Sequence, residues 1–160
     1  MRTRSDLRRA LELRVPPVAV VLLAAAAMWL LARLFPSAAL VLPLRVVLAA
    51  LFVVAGFAIA LAGVVEFRRA RTTVNPMTPE ASSAIVSSGI YRHSRNPMYA
   101  GFLLALVGWA VFLANPVSLL GVALYVVYMN CFQIQPEERA LQARFGEAYR
   151  GYMRSVRRWF

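Results

Sequence analysis

Two long apolar runs, residues 15–35 and 44–65, each with a single arginine near one end, constrain this chain more than any other feature. They hold 21 and 22 residues, and at about 1.5 Å per helical residue each reaches across a hydrocarbon layer of roughly 30 Å. Two shorter runs follow, 98–113 and 117–134, with 16 and 18 residues. Ala114, Asn115 and Pro116 join them, and an Asn-Pro pair favours a tight turn, so this part reads as a helical hairpin. With 61% of its 160 residues apolar, the chain suits a bilayer better than water. The expected fold is an all-α integral membrane protein of one domain, 1–160, with four transmembrane helices in two hairpins. The first run is too long for a secretory signal core of about 7–15 residues, and a second span follows it, so cleavage is the minority reading.

Charge gives an orientation. All 18 basic residues are arginine, against seven acids, for a net charge of +11. Such a balance could suit nucleic acid, but the arginines sit at the ends of apolar segments and match anionic lipid head groups better. Arg2, Arg4, Arg8, Arg9 and Arg14 precede the first span, Arg68, Arg69, Arg71, Arg92 and Arg95 occupy the loop 66–97, and six more follow the fourth span. The loop of residues 36–43 is uncharged, and only Arg33 and Arg45 flank it. The excess of arginine predicts that both termini and the loop 66–97 are cytoplasmic. An arginine bias without lysine also suggests a GC-rich, bacterial coding sequence, hence a bacterial inner membrane. The single cysteine, Cys131, excludes an internal disulfide and a cysteine metal cluster, and reads as a small core residue.

Beyond the fourth span the pattern changes. Pro136 suits a first helical turn, with Glu137 and Glu138 at the positive end of the helix dipole. Leu141, Phe145, Tyr149, Tyr152, Val156 and Trp159 then recur at helical spacing. They predict a cytoplasmic amphipathic helix over 136–157, lying on the membrane or docked on the bundle. The loop 66–97 carries Pro76, Pro79 and Pro97, which restrict its backbone and predict an ordered connection.

The interiors of the spans carry no ionisable residue, which disfavours an ion-coupled transporter. Polar residues collect instead in two pieces, 66–97 and 133–160. His93, the one histidine, has no second ligand for a metal, and no metal site is expected. Read alone, Tyr91 and Tyr99 serve equally as aromatic residues at head-group level, and the two glutamates as helix caps.

Together the pieces are more specific. The segment Arg95-Asn96-Pro97-Met98-Tyr99-Ala100-Gly101, followed one hairpin later by Glu137-Glu138 with Leu141, Phe145, Gly146, Tyr149 and Tyr152, resembles the isoprenylcysteine carboxyl methyltransferase and phospholipid methyltransferase superfamily. That family carries Arg-His-Pro-x-Tyr-x-Gly at the entrance of a membrane helix and a Glu-Glu pair before a helix with tyrosines. The likeness covers about residues 66–160 and includes the upstream stretch 72–80. One position departs from it: the histidine before proline is Asn96 here, and His93 lies three residues earlier.

The resemblance implies S-adenosylmethionine as methyl donor and an acceptor that is a lipid-like or small amphiphilic molecule bearing a carboxylate, amine or thiol. It implies cofactor contacts from His93, Asn96, Pro97, Tyr99, Gly101, Glu137 and Glu138. Arg95, Asn96 and Tyr99 become the catalytic candidates, and Arg92 and Asn75 those for the substrate. A carboxylate can take the ammonium group or ribose hydroxyls, an arginine the carboxylate, an aromatic ring the sulfonium. Gly101 allows close approach, either to the cofactor or between helices. The alternatives are a non-catalytic lipid-binding scaffold and, behind it, a small transporter. An oligomer is permitted and not required.

Overall fold

The computed structural model describes residues 12–36 and 44–160. The arginines of the N-terminal arm before Glu12 and the loop residues 37–43 lie outside the described residues. Within the described residues all regular structure is helical: α1 (Pro17–Leu34), α2 (Arg45–Arg69), α3 (Pro97–Leu113), α4 (Leu119–Tyr128), α5 (Gln135–Phe145) and α6 (Glu147–Ser155). Short 3-10 turns at Pro79–Ala81, Gly89–Arg92 and Pro116–Ser118 lie between them. Three helical stretches are long and apolar enough to cross a membrane, Pro17–Leu34, Arg45–Arg69 and Pro116–Phe145, while Pro97–Leu113 is shorter at 17 residues. Their outer faces expose Leu22, Leu23, Val54, Phe57, Leu61, Leu120 and Leu124, a surface that only lipid or another apolar partner satisfies. The chain is therefore an integral membrane protein.

Helix α3 sits between the others. Its contacts run to α2 on one side and to α1 and α4 on another, and α1 packs on α4 as well. The expected hairpin of the first two spans is thus not a packed pair, because α2 finds its partner in α3. Gly56 and Gly101 explain the choice: a Cβ on either would run into the other's carbonyl oxygen. Farther along, a Cβ on Gly108 would lie 2.8 Å from the carbonyl of Ala49. Small residues let the two backbones touch, which is what drives association between apolar helices in lipid. On the other side, buried Met28 of α1 fills the space left by Gly121 of α4, and the Trp109 indole donates to the Ala25 carbonyl at 3.0 Å.

The hairpin between α3 and α4 turns as expected. Ala114 ends α3 in a left-handed conformation, and the Asn115 side chain accepts from the Val117 amide at 2.9 Å. The Asn115 amide group donates to the Phe35 carbonyl at 2.9 Å, tying the end of α1 to the same turn.

The fourth span and the following helix differ from expectation. Residues Pro116–Phe145 form one 30-residue helical rod, about 45 Å long. Pro136 does not open a new helix but sits inside this rod, just after a π-helical stretch, Met129–Ile134. Proline lacks an N–H and crowds the carbonyl four residues before it, and the wider π turn accommodates both defects. The separate helix expected over 136–157 is instead α5 and α6, broken at Gly146, whose φ of +56° ends the first of them.

Candidate active site

Where α2, α3 and the long rod end together, loop 70–96 and the last residues of the chain cross over them. A pocket there is lined by Asn75, Pro76, Arg95, Asn96, Tyr99 and Glu137, with Phe67, Tyr91, Leu141 and Tyr149 as its apolar and aromatic walls. Asn96 precedes α3, Pro97 opens it and Tyr99 follows within the first turn, so the start of the helix delivers the tyrosine. The π-helical stretch and α5 deliver Gln133 and Glu137, one turn apart along the rod.

The two neighbouring carboxylates have opposite surroundings. Glu138 is neutralised on both sides: Arg95 donates to its Oε1 at 2.8 Å, and Arg158 donates to Oε2 at 2.6 Å and to Oε1 at 3.1 Å. Its neighbour Glu137 receives only uncharged donors, the Tyr99 hydroxyl at 2.5 Å and the Gln133 amide group, and no arginine pairs with it among the described residues. Gln133 also donates to the Pro76 carbonyl at 2.9 Å, fastening the proline-rich loop over the pocket. The Tyr125 hydroxyl donates to the Tyr99 carbonyl at 3.1 Å and fixes the helix start from beneath.

The end of the chain closes the other side. The Arg95 amide donates to the Arg157 carbonyl at 2.9 Å, and the Asn96 side chain to the Arg158 carbonyl at 2.9 Å. One Arg95 terminal nitrogen donates to the carbonyls of Met153 and Val156, at 2.7 and 3.0 Å. Its Nε is buried and has no hydrogen-bond partner, alone among the buried side-chain nitrogens and oxygens of the described residues. Tyr152 donates to the Tyr91 carbonyl at 2.7 Å. Burial pushes the Tyr91, Tyr149 and Tyr152 hydroxyls well above the ordinary phenol range, so all three keep their protons.

Of the residues singled out from sequence, Asn75, Arg95, Asn96, Tyr99, Glu137 and Glu138 line this pocket. Asn75 spends its side-chain oxygen on the Met77 amide at 3.0 Å, shaping the loop. Arg92, His93 and Pro97 line a different groove on the other side of segment 92–97, so His93 does not share a volume with Asn96. Gly101 is buried against Gly56 in the α2–α3 seam, the helix-packing one of its two expected uses. Sequence reasoning missed Gln133 and Arg158. A glutamine one helical turn before Glu137 was the available signal for the first. Nothing local marks Arg158 among its neighbouring arginines.

Comparison with known proteins identifies the family. The phospholipid methyltransferase family matches residues 44–148. The chain is 34% identical over 106 residues to protein-S-isoprenylcysteine O-methyltransferase A of Arabidopsis thaliana, covering 66% of this chain and 54% of that protein. The Dictyostelium discoideum protein-S-isoprenylcysteine O-methyltransferase is 35% identical over 72 residues, 45% of this chain and 30% of the relative. An uncharacterized protein of Haemophilus influenzae is 44% identical over 62 residues, 39% of this chain and 98% of its own length. The chain thus spans about half the length of the plant methyltransferase it matches. No solved structure matches it significantly.

Proposed function

Because the chain belongs to the phospholipid methyltransferase family, we propose that it transfers a methyl group from S-adenosylmethionine to the polar end of a membrane amphiphile. The arginine-rich end of the bundle would face the cytoplasm, as the distribution of positive charge favours. The observation that carries the reading is Glu137, a carboxylate in the pocket held by a tyrosine and a glutamine and, among the described residues, left without a cation.

The donor set suits this cofactor. Glu137 is placed to take its ammonium group, and the partnerless Nε of Arg95 is a donor for its carboxylate. When bound, S-adenosylmethionine supplies a methyl group already activated by the sulfonium, so the protein's part is alignment and exclusion of water. Tyr99 donates its hydroxyl proton to Glu137, which makes it an orienting group for that carboxylate and not a base. Asn96 cannot titrate, and its amide group secures the last residues of the chain. With His93 in another groove, the arrangement favours an acceptor that is nucleophilic as it arrives, a carboxylate or a thiolate, over one that must first lose a proton.

The pocket as it stands measures about 80 Å³, below the roughly 300–1,000 Å³ of ordinary ligand sites. Thr73, Val74, Asn75, Pro76, Pro79 and Ser82 form its loop wall, so admission of the cofactor requires this loop to move outward.

Calorimetry of the detergent-purified chain with S-adenosylmethionine tests the reading. Binding is expected, and Glu137→Gln should weaken it by about ten- to a hundredfold, the value of a charge-assisted contact. Hydrogen exchange over residues 73–82 should fall when the cofactor binds. No heat at about 1 mM ligand, an affinity of only about 4 kcal/mol, would overturn the proposal. Binding without methylation of any component of a total lipid extract would instead support the scaffold reading.

A further inference from the structure

A second cavity lies back to back with the pocket just described. It is a groove of about 530 Å³, bounded by Ile59 of α2, by Arg92 and His93, and by Arg157, Trp159 and Phe160. The first turn of α3 separates the two cavities, since Pro97 and Ala100 face the groove whereas Asn96 and Tyr99 face the pocket.

We propose that this groove binds the head group and upper acyl chain of an anionic membrane lipid, at a site separate from methyl transfer. Its lining is divided in the way such a ligand is divided. The side chains of Arg92 and Arg157 are exposed and make no ion pair among the described residues. Glu66, whose carboxylate feels the charge of Arg92 without pairing with it, is held by Arg69 at 2.9 Å and by Ser88 at 2.5 Å. Among the described residues no acidic one lines the groove. The other end is apolar: Ile59 lies two helical turns before Glu66, about 10 Å deeper along α2. Ile59 is half-buried, and one turn deeper on the same face of the helix Ala55 is exposed, so this end of the groove is apolar and open, as a lipid tail requires. Two guanidinium groups without an ion-pair partner among the described residues, set above an apolar slot, recognise a phosphate ester on a hydrocarbon, and a free phosphate would leave the slot unfilled.

The groove is also mechanically joined to the pocket. Arg157 lends its side chain to the groove and its carbonyl to the Arg95 amide, and the next carbonyl holds Asn96. A lipid seated against Trp159 and Arg157 therefore braces the segment that holds Arg95 and Glu138 in place.

Native mass spectrometry of the detergent-purified full chain, titrated with phosphatidylglycerol and with phosphatidylcholine of the same acyl chains, reads the proposal directly. Phosphatidylglycerol should bind about tenfold or more tightly, given the contribution of two arginines near a membrane surface. The double variant Arg92→Gln/Arg157→Gln should lose that preference while keeping its phosphatidylcholine adducts, which report an intact bundle. The control Arg68→Gln/Arg144→Gln, two exposed arginines outside the groove, should keep it. Equal binding of the two lipids overturns the proposal, as does an equal loss in the control, which would mean diffuse surface charge. Displacement of phosphatidylglycerol by an equal concentration of inorganic phosphate would reassign the groove to a free anion. None of these outcomes depends on S-adenosylmethionine, so the proposed methyl transfer stands or falls separately.

Discussion

Along the seam of α2 and α3, backbone meets backbone through Gly56, Gly101 and Gly108, and the side chains contribute by being absent. A short distance away, where the chain crosses over the ends of these helices, the opposite holds: long side chains reach backbone carbonyls far along the sequence. Arg95 takes Met153 and Val156, Asn96 takes Arg158, Gln133 takes Pro76, and Tyr152 takes Tyr91. In lipid every helix satisfies its own backbone, so close fit, with an occasional side-chain bond such as Trp109 to the Ala25 carbonyl, distinguishes one apolar partner from another. At the polar end the loop and the final residues lack regular ladders, and side chains must satisfy their carbonyls. The pocket forms at the junction because Tyr99 starts in the second region on a helix whose position is set in the first.

Removing Glu138 should have the largest effect on this division. Glu138→Ala strands Arg95, 10% exposed, and frees Arg158. It should cost about 3 kcal/mol in thermal or denaturant unfolding, the lower end for a broken buried pair because Arg158 is partly in solvent. A negligible loss would show that the polar end is held by its carbonyl contacts alone. Next comes Gly101→Val, whose Cβ meets the carbonyl of Gly56 and lies 2.8 Å from the amide nitrogen of Ala60. It should cost about 1–3 kcal/mol, as overpacking does, and α2 must move away from α3. Because Tyr99 rides on α3, S-adenosylmethionine affinity should fall with it. Unchanged affinity in a destabilised variant would uncouple seam from pocket. Tyr152→Phe should be mildest, about 1 kcal/mol for one hydrogen bond, with no change at the seam. If it destabilised more than Gly101→Val, the ranking of the two regions would be reversed.

Some of the site could be read before the fold was known. Arg95, Asn96, Tyr99, Glu137 and Glu138 were found as two motifs one hairpin apart, and the hairpin does bring the motifs together. Their division of labour could not be read, since adjacent glutamates look alike until Arg158 returns to one of them across 20 residues. His93 shows what spacing alone leaves open. Three residues from Asn96, it would share a helical face with it, but the 3-10 turn ends at Arg92 and the chain turns before Pro97. The two therefore face different cavities. Pro136 likewise reads as a helix start, and only the π-helical stretch before it lets the rod continue.

By itself, then, the sequence determined the solvent, the apolar helices and their approximate limits, because a run of apolar residues in lipid has to satisfy its backbone internally. It also determined the turn at Asn115 and which polar residues were available at the arginine-rich end. Tertiary structure decided that α2 pairs with α3, that Gly101 serves this seam, and that among the described residues Glu137 stays without a cation while Glu138 has two. Those outcomes depend on close fit between surfaces distant in sequence, and in a medium as apolar as the helices themselves no local pattern encodes that fit.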